Sequence, residues 1–138
     1  MTIPLNLYMT LAREGKIEEA ERGLAALKPN LDRIAPGEVY VQGYLSLVSG
    51  ICALRRGNAS TAEHEIREAL SVYQHAVQPG HVYIAEAQRW LASALEAQKR
   101  IAEARAAAND SVQVWSRNYQ AGNPVLEEAR DYLNKLQQ

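Results

Sequence analysis

Leu, Ile, Val and Ala recur along this chain at steps of three and four residues, and Glu, Arg, Gln and Lys fill most positions between them. That period belongs to amphipathic helices with one apolar stripe turned inward. It predicts seven helices, over about 3–14, 17–28, 38–56, 59–76, 82–98, 101–119 and 124–136. Pro29 ends the second, and residues 29 to 37 form a looser connection. Asn123 is the expected N-cap of the last, with Pro124 in its first turn, Glu127 and Glu128 early and Lys135 late. Ser60-x-x-Glu63 has the spacing of a capping box near the start of the fourth.

The punctuation is periodic. Pro36-Gly37, Pro79-Gly80 and Gly122-Asn123-Pro124 each follow a long helical pattern. GKIEEAERGLAAL, GNASTAEHEIREAL and KRIAEARAAANDSV share one register: Gly15, Gly57 and Lys99 are 42 residues apart, as are Ala20, Ala62 and Ala104. Leu24, Ile66 and Ala108 keep the same step, as do Leu11, Ala53 and Leu95, and Tyr8, Gly50 and Ala92. Each copy reads as a helix hairpin. A glycine allows the turn, a small alanine lets the second helix cross close to the first, and apolar residues beyond it face the core. One such hairpin cannot bury its apolar face alone; stacked neighbours complete it.

These residues resemble the tetratricopeptide repeat. Leu11, Gly15, Ile17, Ala20, Leu24 and Leu27 carry the likeness in the first copy. Gly50, Gly57, Ala62, Ile66 and Ala69 carry it in the second; Leu91, Ala92, Leu95, Ile101, Glu103 and Ala104 in the third. The period of 42 resembles the long-helix variant of kinesin light chains and bacterial signalling proteins, in which Gly-x-His-Pro opens each repeat. Gly80-His81 matches that opening, with Val82 in place of the proline, and Asn123-Pro124 looks like a degenerate fourth one. Lys99 replaces the turn glycine and Tyr8 replaces a small residue, so the first and third copies depart from the pattern.

The resemblance implies an all-α fold, a right-handed α-solenoid of about three hairpins (about 1–37, 38–80 and 81–122) with a cap helix at 123–138, forming one domain. It also implies a concave face lined by the first helix of each hairpin. In the co-chaperone members, a basic, asparagine-rich clamp grips a C-terminal carboxylate. Its positions fall here on Leu5, Met9, Val48, Glu86 and Trp90, which lack that chemistry, and Glu86 repels a carboxylate.

The stretch GYLSLVSGICALRRG (43–57) has no charge from Tyr44 to Leu54. Eleven uncharged residues fall far short of the ~20 that span a bilayer. Two readings remain open. In one, the helix is apolar all round because neighbours cover every face. In the other, Leu45, Gly50, Cys52 and Ala53 face the core. Tyr44, Leu47, Val48, Ile51 and Leu54, with Leu5, Met9 and Trp90 beside them, then line an apolar concave groove.

Composition narrows the chemistry. Net charge is −1, and the basic pairs Arg55-Arg56 and Lys99-Arg100 are isolated, so no basic stripe for nucleic acid is present. A single cysteine, Cys52, excludes an internal disulfide and fits a reducing, cytoplasmic setting. The first residues lack the basic and long apolar regions of a signal peptide. Cys52 sits mid-helix in the apolar stretch and reads as an inert buried thiol. His64, His75 and His81 make no helical metal pair, and no nucleophile and base converge in the pattern. The expected protein is therefore no enzyme and holds no cofactor or metal. It binds a protein or peptide partner, and neither nucleic acid nor membrane, as an adaptor or regulatory module. Two alternatives are a self-assembling homodimer and a peptide-sensing regulatory domain of a larger signalling protein.

Overall fold

Among the described residues the helical period becomes seven α-helices: α1 (Leu5–Arg13), α2 (Ile17–Leu27), α3 (Val39–Arg55), α4 (Ala59–Ala76), α5 (Val82–Ala97), α6 (Ile101–Asn118) and α7 (Pro124–Leu136). The computed structural model describes residues 5–30 and 39–138, with side chains from 7 to 30 and from 40 to 138. No strand occurs among the described residues. A 3-10 turn, Lys28–Asn30, follows α2 where Pro29 stops it. The rest of the looser connection, with Pro36-Gly37, lies outside the described residues.

Three tight turns repeat the same hydrogen bonds. Lys16 N–H donates to Leu11 O at 2.8 Å and Gly15 N–H to Ala12 O at 3.2 Å. Asn58 to Ala53 and Gly57 to Leu54 repeat this pair, at 2.9 and 3.0 Å. Arg100 to Leu95 and Lys99 to Glu96 repeat it again, at 3.0 and 2.8 Å. This is the Schellman closure of a helix end, whose penultimate residue must enter the left-handed region. Gly15 and Gly57 do so at φ 84° and 85°, and Lys99 is forced to follow at φ 63°. Lys99 thus occupies the glycine's conformation without the glycine's freedom.

The capping box expected at Ser60-x-x-Glu63 does not form. Asn58 is the N-cap of α4 and its side chain makes no cap bond; Ser60 already lies inside the helix. Glu63 reaches outward instead, accepting from Arg67 Nε at 2.8 Å, Gln98 Nε2 at 3.0 Å and Arg100 Nη1 at 2.7 Å. One repeat earlier, Glu21 accepts from Arg56 Nε at 2.7 Å. The same register position therefore ties α2 and α4 to the turn of the next hairpin. Asn123 does cap α7, its Oδ1 accepting from Val125 and Leu126 N–H at 3.0 and 3.4 Å. His81 caps α5 in the same way, Nδ1 accepting from Tyr83 N–H at 3.0 Å.

Helices pack mainly on their chain neighbours: α1 on α2, α3 on α4, α5 on α6, then α4 on α5 and α6 on α7. The exception is α3, which also meets α1, α2 and α5. Ala20, Ala62 and Ala104 have no exposed surface, as crossing points require. At the α3–α4 crossing a Cβ on Gly50 would lie 2.6 Å from Ile66 Cγ1 and 3.2 Å from Ala62 O. In the first hairpin the large Tyr8 takes the place of Gly50, and Gly23 makes room: a Cβ there would lie 2.1 Å from Tyr8 Cε1. A second, smaller core of Ala85, Val114, Trp115, Leu126 and Ala129 joins α5, α6 and α7. Ser111, fully buried beside it, is satisfied by donating to Ala85 O at 2.7 Å. No helix among the described residues is long and apolar enough to cross a membrane.

Candidate functional site

A cleft opens where α1, α3 and α5 meet α7 and the end of α6. One compartment, of about 290 Å³, is walled by Met9, Thr10 and Arg13 of α1, Tyr44 of α3, Val82, Tyr83 and Glu86 of α5, and Trp115 of α6. A smaller one, of about 110 Å³, shares Arg13, Glu86 and Trp115 and adds Arg89, Trp90, Tyr119, Val125, Glu128 and Ala129. Helical spacing explains the alignment: Val82, Glu86 and Arg89 on α5, and Met9 and Arg13 on α1, are three or four residues apart and share a face.

The residues expected to line a groove divide by burial. Tyr44 is half-buried on the cleft wall, and Met9 (6 % exposed) and Trp90 (9 % exposed) show their edges there. Leu54 is half-buried at the other end of α3. Leu47, Val48 and Ile51 have no exposed surface at all and belong to the core. This corrects the open-stripe reading for these three. Neighbouring helices cover this part of α3, so these three side chains offer nothing to a partner, and the reading of a helix covered by its neighbours describes this part of it. The side chain of Leu5 lies outside the described residues.

The floor near α3 is aromatic. Tyr83 lies 6.2 Å from Tyr40, 6.4 Å from Tyr44 and 5.4 Å from Tyr73, centre to centre. Burial, then the nearby Glu86 and Tyr83, pushes the Tyr44 phenol up to about 12. Tyr73 is completely buried, its hydroxyl finds no partner among the described residues, and burial drives its pKa up strongly. At the other end Trp115 stacks on Tyr119 at 5.6 Å.

Charge is arranged across the opening. Arg13 of α1 stands 4.0 Å from Glu86 of α5 and 3.6 Å from Glu128 of α7, bridging the two walls. Arg89 is held differently. Its guanidinium lies 3.7 Å from the Tyr132 ring centre and 5.3 Å from that of Trp90, and Nη1 donates to Ser93 Oγ at 2.6 Å. Burial lowers its pKa, without approaching neutrality for a guanidinium. Arg13, Arg89, Trp115 and Tyr119 were not legible as site residues in the repeat pattern. Arg89 beside Trp90, three residues after Glu86, was the available signal, and it needed α7 to give it meaning.

No cluster of three metal-ligating side chains occurs among the described residues. Cys52 is buried, and burial pushes its thiol up to about 11, far from a reactive thiolate. His64 is exposed and lies 3.7 Å from Glu68 on its own helix. The arrangement suits binding through apolar contact and fixed charge. Compared with known proteins, the chain matches no family model and no curated relative.

Proposed function

We propose that this chain is a tetratricopeptide-like module, a solenoid of three hairpins with α7 as cap, and that it works by binding a peptide or protein segment in this cleft. One observation carries the reading. Only three large apolar side chains are exposed among the described residues, Leu7, Tyr119 and Val125, and two of them stand on the wall of the same cleft. Exposed apolar residues converging on a concavity mark an interaction site more than scattered ones do. The recurring Schellman turns and the recurring Glu21–Arg56 and Glu63–Gln98 ties support the repeat reading. An adaptor or regulatory role in a cytoplasmic signalling assembly follows from that resemblance and rests on it.

The self-assembling alternative fits less well. Beyond the cleft, α7 exposes Asn134, and α2 exposes Glu18, Glu19 and Arg22. Polar faces of this kind close a stack of hairpins rather than extend it. The test is affinity capture from native extract with the wild-type chain, with Tyr119→Ser/Val125→Asp, and with Leu7→Ser. The cleft double variant should lose partners that the Leu7 variant keeps. Equal capture by all three would refute the cleft, and a concentration-dependent mass in light scattering would revive the homodimer.

A further inference from the structure

Two arginines stand in the cleft, and only one is paired. Arg13 takes both nearby carboxylates, Glu86 and Glu128. Arg89 has no carboxylate within ion-pair distance among the described residues, and Ser93 Oγ is its only hydrogen-bond acceptor there. A guanidinium carries five N–H donors in a fixed fork. Most of that fork is unspent, in a partly buried site where a charge-assisted bond is worth more than at the open surface.

The fork is also held still. Ser93 Oγ donates on to Tyr132 Oη at 3.3 Å, and Tyr132 Oη donates to Glu96 Oε1 at 2.9 Å. Arg89, Ser93 and Glu96 follow one face of α5, and Tyr132 of α7 supplies both the stacking ring and the middle link of the relay. A cation oriented this way has lost its side-chain entropy in advance, which is what makes a receptor for a planar anion.

We propose that Arg89 receives the carboxylate of an acidic side chain, Asp or Glu, in the bound segment, with a neighbouring apolar residue seated against Trp115, Tyr119 and Val125. The proposal rests on the peptide-binding reading above and deepens it. A side chain is favoured over a chain terminus because Arg89 walls two spaces. Trp115 and Tyr119 lie on one side, and Pro124, Tyr132 and Lys135 on the other, together with the carboxylates of Glu127, Glu128 and Asp131. A segment laid along both continues past Arg89 instead of ending at it.

The test uses four pools of N-acetylated octapeptides with randomised apolar residues around a central residue. Three are C-amidated with central Glu, Gln or Lys; the fourth has central Gln and a free C-terminus. Binding to the whole chain is read by the NMR shifts of the Arg89 Nε–H and the Trp90 and Trp115 indole N–H. The Glu pool should bind best, with the Gln and Lys pools about tenfold weaker or more, as one charged hydrogen-bonded pair implies. Arg89→Gln should abolish the preference for Glu, and Arg89→Lys should keep part of it. Melting of both variants, set beside wild type, shows that they are folded. Amidated pools that bind equally whatever their central residue would overturn the Arg89 proposal and leave the peptide reading standing. Preference for the free C-terminus would overturn it too. No shift with any pool would remove both.

Discussion

Replacing Gly50 by alanine tests the α3–α4 crossing. On an unobstructed helix the change gains about 1 kcal/mol, because alanine is the better helix former. Here the new methyl would sit 2.6 Å from Ile66 Cγ1 and 3.2 Å from the carbonyl oxygen of Ala62. Cγ1 is near the root of its side chain, and the carbonyl is backbone, so neither gives way without moving α4. Overpacking of this kind costs about 1–3 kcal/mol, so the net expectation is a loss of about 1 kcal/mol. The sign should depend on Ile66. In an Ile66→Ala background, itself costing about 2–5 kcal/mol, most of the obstruction is gone and Gly50→Ala should become neutral or stabilising. Urea unfolding followed by circular dichroism on the four proteins closes the cycle. If Gly50→Ala stabilises the wild type by about 1 kcal/mol, or if its effect is the same in both backgrounds within about 0.5 kcal/mol, the crossing is not where we place it.

Lys99→Gly should raise stability by about 0.5–1 kcal/mol, because it relieves a left-handed residue at φ 63° at a small entropic cost, while Gly57→Ala should lower it; melting of both checks the pair. Tyr73→Phe removes a buried hydroxyl that has no partner among the described residues, and should raise stability by about 1 kcal/mol in chemical denaturation. Leu47→Glu puts a charge at a site with no exposed surface and should abolish the cooperative melt; Val125→Glu, at 42 % exposure, should leave it nearly unchanged. Burial pushes the Glu63 carboxyl up, but bonds from Gln98 and Arg67 and the Arg100 charge outweigh it and hold it below its ordinary value. Its contribution is therefore present above the unfolded-state value of about 4.3 and is lost as pH falls through the lower folded value. Glu63→Gln should cost about 1 kcal/mol at pH 7, where two of the three partners are part-exposed arginines, and the gap to wild type should close in acid melts.

The helices were legible because each was marked twice, by apolar period and by a stop. Pro29, Gly57 and Asn123 fall where helices end or begin. The recurring alanines were legible for the same reason: a small residue at a fixed step inside an amphipathic pattern has few uses besides a crossing. Lys99 was visible as a departure, and its strained backbone is the physical form of that departure. The failed capping box shows the limit of local spacing. Ser60 and Glu63 have the right separation, but Gln98 and Arg100 come from another hairpin and offer Glu63 better bonds than its own helix end does.

What the sequence determined by itself is the helical class, the boundaries and the repeat step, all of which depend on residues near one another in the chain. Which apolar residues face a partner was decided only in three dimensions. Leu47, Val48 and Ile51 share their character with Tyr44, yet the neighbouring helices enclose the first three and leave the last on a cleft wall. Arg89 looks from the chain like any solvated charge on a helix. It becomes a fixed cation without a carboxylate partner among the described residues only because α7 brings Tyr132 beneath it, while Glu86 and Glu128 stand against Arg13. Period and propensity report on a residue's own helix, whereas exposure and pairing are properties of the helices that surround it.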